Sequence, residues 1–202
     1  IMNWLLKSIS FVFHPIIMPL LGVIFYFTKS PRFIPPEVME AKIISLSILT
    51  IVLPILLYYL LKTIGKTESI YLKTTKERII PLALNTIICL LIIVRVLPDN
   101  QILELYYFFI GILISTVVCL ILALLKFKAS IHMIAIAGVF MFAIGISLHF
   151  GKNLNGSLAL FALIAGAIAT SRLHLNAHTN VELLFGFCIG LFPQLLVLPY
   201  WL

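Results

Sequence analysis

Charged residues are scarce in this chain: they make up 10% of its 202 residues, and only seven are acidic. Such scarcity excludes an ordinary soluble domain, in which about a quarter of residues are charged. No polar stretch is long enough to bury a core of its own, so no separate soluble domain is expected. Cysteine is equally sparse. Cys89, Cys119 and Cys188 each lie inside an apolar run, where a free thiol behaves as a small hydrophobe, and they provide no disulfide framework. The formal charge of +7 is not gathered on a solvated surface with aromatic platforms, which argues against a nucleic-acid partner. The first apolar run lacks a small-residue cleavage site, so a cleaved leader is not expected. Internal repeats and low-complexity tracts are missing as well.

What the chain does have is long apolar runs, with 62% hydrophobic residues and a mean hydropathy of +1.19. A helix needs about 20 residues to cross the hydrocarbon core. Seven runs approach that length, at 9–28, 42–61, 79–97, 105–125, 132–150, 157–170 and 181–202. The expected fold is therefore all-α, a polytopic transmembrane helical bundle of six to seven spans in a multi-pass cell-membrane protein. A single domain fills 1–202, with 1–39 as an extra or kinked N-terminal span ahead of a core at 40–202. Pro15 and Pro19 interrupt the first run and suit a re-entrant or half-crossing segment. The sixth run is short, and its Gly156 and Gly166 suit close helix packing. Tyr58, Tyr59, Tyr106, Tyr107, Tyr200 and Trp201 fall near span ends and read as interfacial belts.

Between the runs lie a proline-rich turn at 30–40, polar connectors at 65–78 and 151–156, and a tight turn at Pro98-Asp99-Asn100. Two spans separate the connector at 65–78 from 126–132, and two more lead to 171–178. An even number of crossings returns the chain to the same face, so these three clusters should meet there. Together they carry Lys66, Lys73, Lys76, Arg78, Lys126, Lys128, His132, Arg172, His174 and His178, against Glu68, Glu77 and Glu182. That face is a candidate anion trap, although Lys66 and Lys73 read as solvated helix-end lysines.

The most polar stretch, Ser171-Arg-Leu-His-Leu-Asn-Ala-His-Thr-Asn-Val-Glu182, concentrates the chemistry. Ionisable groups kept together at a bilayer edge usually serve a function. Arginine offers a fork of donors matching phosphate oxygens, and lysine adds a point charge. Glu182 follows His178 by four residues and can hold it in one tautomer, leaving the other ring nitrogen for attack or proton transfer. A second histidine, His132, could protonate a leaving alkoxide. With Ser171 completing an anion cradle, the natural reaction is phosphoryl transfer.

These residues resemble the motifs of the type 2 phosphatidic acid phosphatase superfamily of membrane lipid phosphatases. The family's third motif is Ser-Arg, five residues, His, three residues, Asp. Ser171-Arg172…His178…Glu182 is similar to it, with Glu in place of Asp. Its second motif, Pro-Ser-Gly-His, is matched by Ala129-Ser130-Ile131-His132 at the serine and histidine. Its first motif, Lys, six residues, Arg-Pro, has as its nearest counterpart the stretch Lys73 to Pro81, which includes Lys76 and Arg78 but has different spacing. Lys128, beside the second motif, is the other candidate for that phosphate contact.

The resemblance covers roughly 40–202 and implies a cofactor-free, metal-free mechanism. His178 would be the nucleophile, Glu182 its orienting partner and His132 the acid for the leaving group. Arg172, Ser130, Ser171 and either Lys128 or Arg78 and Lys76 would bind the phosphate. The implied partner is a lipid phosphate, such as phosphatidic acid, phosphatidylglycerol phosphate, a polyprenyl diphosphate, or a phosphorylated lipid A or sphingoid lipid. The implied site faces outward. Counting all fourteen basic residues by parity puts nine on the site face, which alone would make it cytoplasmic. Discounting Arg78, Lys128 and Arg172 as phosphate ligands removes most of that bias.

Other readings remain open. His174, His178 and Glu182 recur at four-residue steps, and on one continuous helix they could hold zinc, though the surrounding cations disfavour it. His14 and His149 read as interfacial or satisfied histidines. A catalytically silent lipid-headgroup-binding protein and a lipid transporter are the alternatives to an enzyme. Transporters, however, keep broken helices or charges near mid-membrane, whereas here the charges lie at span ends.

Overall fold

A computed structural model of the protein describes residues 2–66, 74–98 and 101–202. Glu68, Lys73, Asp99 and Asn100, named above, lie outside the described residues. Among those described there is no strand. Two short helices, α1 (Met2–Val12) and α2 (Met18–Lys29), precede six that are long and apolar enough to cross a membrane. These are α3 (Pro36–Thr63), α4 (Thr75–Val96), α5 (Leu103–Leu124), α6 (Ile131–His149), α7 (Asn155–His174) and α8 (Asn180–Val197). The protein is an all-α, multi-pass membrane bundle.

The N-terminal run is broken where its prolines require it. Pro15 lies in the non-helical stretch 13–17, while Pro19 sits in the first turn of α2, where a missing N–H costs no hydrogen bond. The 12 residues of α2 span about 18 Å, short of the hydrocarbon core of about 30 Å. Its C-terminus lies at the face opposite 126–132, since Lys152 Nζ donates to the Lys29 carbonyl at 2.9 Å. The run expected at 157–170 is longer than its hydropathy suggests, because Ser171, Arg172 and His174 continue the helix.

Helix α6 forms the centre, with Ile136, Ala137, Ala143 and Ile146 all fully buried. Helix α8 packs against it through Gly186 and Gly190, four residues apart. A Cβ at Gly186 would stand 2.7 Å from the Ser130 carbonyl, and one at Gly190 would collide with the Ile134 carbonyl. The expectation for Gly156 and Gly166 is corrected here, because nothing lies within 4 Å of a Cβ at either. The close crossing is made by the small residues of the last helix, and it brings the start of α6 against the start of α8. Trp201 is also not a belt residue: it is buried, 5.7 Å from Phe142 and 5.5 Å from His149 between ring centres.

At the face away from that crossing, Glu104 of α5 is fully buried. Its Oε1 is 3.0 Å from Arg32 and 3.3 Å from His149, and Tyr26 donates to its Oε2 at 3.2 Å. Three other segments thus converge on one carboxylate and tie this end of the bundle together.

Candidate active site

The site face is organised by how α7 ends and α8 begins. Asn176 adopts a left-handed φ of 50°, a conformation asparagine tolerates better than most residues. The turn closes with Asn176 N–H donating to Leu173 O at 2.9 Å and Ala177 N–H donating to Arg172 O at 3.0 Å. Three residues on, Thr179 caps α8. Its hydroxyl accepts from Glu182 N–H at 3.3 Å, while Glu182 Oε2 accepts from Thr179 N–H at 3.1 Å. This reciprocal cap fixes the carboxylate, and the same Oε2 lies 2.8 Å from His178 Nδ1. A carboxylate can only accept, so Nδ1 carries the proton and Nε2 keeps a free lone pair.

The helix break also settles the geometry of the zinc alternative. His174 ends α7 on an exposed surface, whereas His178 is buried in the connector. The two histidines and Glu182 therefore do not share a continuous helical face. Among the described residues no group of three His, Cys, Asp or Glu side chains is placed to hold a metal ion.

The three clusters brought together by parity touch through specific bonds. Ser130 N–H donates to Glu182 O at 3.1 Å, joining the start of α6 to the first turn of α8. Lys128 Nζ donates to Ala177 O at 3.1 Å. Arg78, buried on α4, donates to Ala129 O at 2.7 Å. Lys76, two residues earlier on the same helix, points elsewhere. It is exposed, and no contact in the described structure ties it to the cluster. Of the two first-motif candidates on α4, Arg78 is the one with a contact to 126–132 among the described residues. Ser130 is fully buried, and its Oγ has no hydrogen-bond partner among the described residues.

Burial pushes the pKa of His178 below its usual value. The Glu182 bond opposes that shift, and the charges of Arg78, Lys128 and Arg172 add to it. The imidazole is thus held neutral. Lys128 is likewise lowered, first by burial and then by Arg78, with Glu182 opposing.

Two residues absent from the sequence-level site come from the N-terminus. Ser10 of α1 lies 2.7 Å from Ser171 Oγ, 3.4 Å from Arg172 NH1 through its own Oγ, and 3.2 Å from His132 Nε2 through its carbonyl. Ser171 donates its single proton to Leu6 O at 2.6 Å. The bond order is therefore Arg172 to Ser10 to Ser171 to Leu6. His14, whose Nδ1 accepts from Ile16 N–H at 3.3 Å, is a satisfied histidine as expected, and it stands edge-on to His132, 5.6 Å between ring centres. Neither residue had a local signal for the site, since their partners there lie more than 110 residues away in the chain.

Comparison of the chain with protein-family models, with curated proteins and with solved structures found no match.

Proposed function

We propose that this protein is a lipid phosphatase. It would hydrolyse a phosphomonoester or diphosphate whose lipid tail remains in the bilayer while the headgroup enters the face formed by 78, 126–132 and 171–182. The observation that carries this reading is the buried His178, held at 2.8 Å by Glu182, with the charges of Arg78, Lys128 and Arg172 near enough to lower its pKa. A neutral imidazole with one fixed nitrogen is a nucleophile, and guanidinium groups beside it stabilise the charge of a transferring phosphoryl group.

In the proposed reaction, His178 Nε2 attacks phosphorus and the bond from phosphorus to the lipid oxygen breaks. His132, protonated on both nitrogens, gives its Nε2 proton to that oxygen. Water then cleaves the P–N bond, its proton returning to His132, so that orthophosphate is released and both histidines are restored. Arg172, Ser171, Ser130, Arg78 and Lys128 bind the phosphoryl oxygens, and the buried unpartnered hydroxyl of Ser130 fits that role. The similarity of Ser171-Arg172…His178…Glu182 and Ser130…His132 to the phosphatase motifs supports the same assignment. We place the protein in the cell membrane with this face outward.

The test is phosphate release by the detergent-purified protein over a panel of lipid phosphates, with His178→Ala alongside. Release that disappears in the variant is the expected result. No release above the variant from any lipid would favour a headgroup-binding or transport protein instead.

A further inference from the structure

We propose that α1 is a displaceable lid on this site, and that one turn of it, Leu6 to Ser10, holds the places that a bound phosphate ester takes. The inference rests on the phosphatase reading for the identity of the ligand. Three residues assigned to phosphate and leaving group are engaged by this single turn. Ser10 Oγ accepts from Arg172 NH1, as a phosphoryl oxygen would, and donates to Ser171 Oγ, occupying that hydroxyl's acceptor side. The Ser10 carbonyl accepts the His132 proton that would go to the leaving oxygen. Leu6 O takes the hydroxyl proton of Ser171. A substrate making the contacts proposed above and this turn cannot occupy the same positions.

The design of α1 suits movement. Its 11 residues are too few to be stable alone in water, and stretch 13–17, with Pro15, uncouples it from α2. Leu6 and Ser10 face inward and are buried, whereas Trp4, Phe11 and Val12 are 71%, 80% and 57% exposed on the other face. An apolar outer face with a tryptophan and the exposed Lys7 suits the membrane interface. A lid of this kind can leave the site without entering water, remaining in the lipid that supplies the substrate.

The experiment uses the full chain in phosphatidylcholine nanodiscs, with Ser10→Cys and, separately, Lys7→Cys. Modification by a charged thiol reagent is timed with and without orthovanadate, and the wild-type rate from the native cysteines is subtracted. The cysteine at position 10 should react slowly, then about tenfold faster or more once vanadate occupies the cradle. The one at position 7, already exposed, should not change. Slowing or no change at position 10 under vanadate overturns the lid.

Ser10→Ala gives a second measurement whose sign decides. Loss of its two side-chain hydrogen bonds, to Arg172 and Ser171, should raise kcat/KM about threefold to tenfold, mostly through KM. A fall in kcat/KM would make Ser10 a fixed wall of the site and overturn the lid. The two readings fail separately. Vanadate-dependent exposure of position 10 without phosphate release from any lipid keeps the lid and removes the enzyme. Phosphate release without that exposure keeps the enzyme and removes the lid.

Discussion

The two ends of the bundle handle buried charge in opposite ways. At one end Glu104 is enclosed by Arg32, His149 and Tyr26, a carboxylate surrounded by donors from three other segments. At the other end, among the described residues, two arginines are buried and a lysine is half-buried beside them. Arg78 and Arg172 reach a backbone carbonyl and a serine hydroxyl, Lys128 reaches a second carbonyl, and the carboxylate of Glu182 is committed to His178 and to the cap of α8. A charge taken out of water costs several kcal/mol unless its surroundings compensate it. The Glu104 end is compensated within the protein and acts as a clasp. The His178 end instead gathers cationic side chains from three segments around one histidine–carboxylate pair, an arrangement suited to an anionic ligand.

Exchanging the two losses should break this comparison most clearly. Arg172→Ala is expected to lower kcat/KM about 10²-fold to 10³-fold while the melting temperature in detergent changes little. Glu104→Ala should do the reverse. Removing one partner of a buried ionic cluster costs about 3–5 kcal/mol, read as a lowered melting temperature, with kcat of the surviving protein within a few-fold of wild type. Equal losses of activity in the two variants would erase the distinction between clasp and site.

The pH dependence should sharpen it. His178 must be neutral to attack, and burial with three cations holds its pKa below the usual 6.5, so the acidic limb of kcat/KM should lie below that value. The same shift makes the fold more stable at neutral pH, with the benefit lost as pH falls through the lowered pKa. Glu182 raises the pKa of His178, so Glu182→Gln should move the limb further toward acid and reduce kcat by one to two orders of magnitude, on the order of a lost orienting partner. A limb moving toward neutral pH would contradict the assigned bond. The smallest effect is expected from Lys128→Met. Removing a charge that lowers the pKa should shift the limb slightly toward neutral pH, with KM rising a few-fold.

How much of this was legible beforehand follows from the range of each interaction. The helical bundle is written in composition, because long apolar runs have one stable arrangement in a bilayer. The pairing of His178 with Glu182 is local, four residues apart. It holds although His178 lies in the connector at 175–179 and not on α8, because the reciprocal cap of Thr179 and Glu182 fixes the carboxylate beside it. The meeting of three clusters needed only an even count of crossings. By contrast, Gly186 and Gly190 were not distinguishable from Gly156 and Gly166, since which glycine faces a neighbour depends on helix rotation. Ser10, His14 and the Glu104 clasp depend on contacts made only when the bundle closes. A single serine in an apolar run carries no spacing signal, and Glu104 at the start of a span resembles any solvated helix-end charge.

The most direct measurement is a rapid-quench trap with a lipid phosphate labelled on phosphorus, followed by denaturation and separation of the protein. The account predicts label bound covalently at His178, stable in alkali, lost in acid, and missing from His178→Ala. Steady phosphate release with no trapped label, together with full activity in His178→Ala, would contradict it.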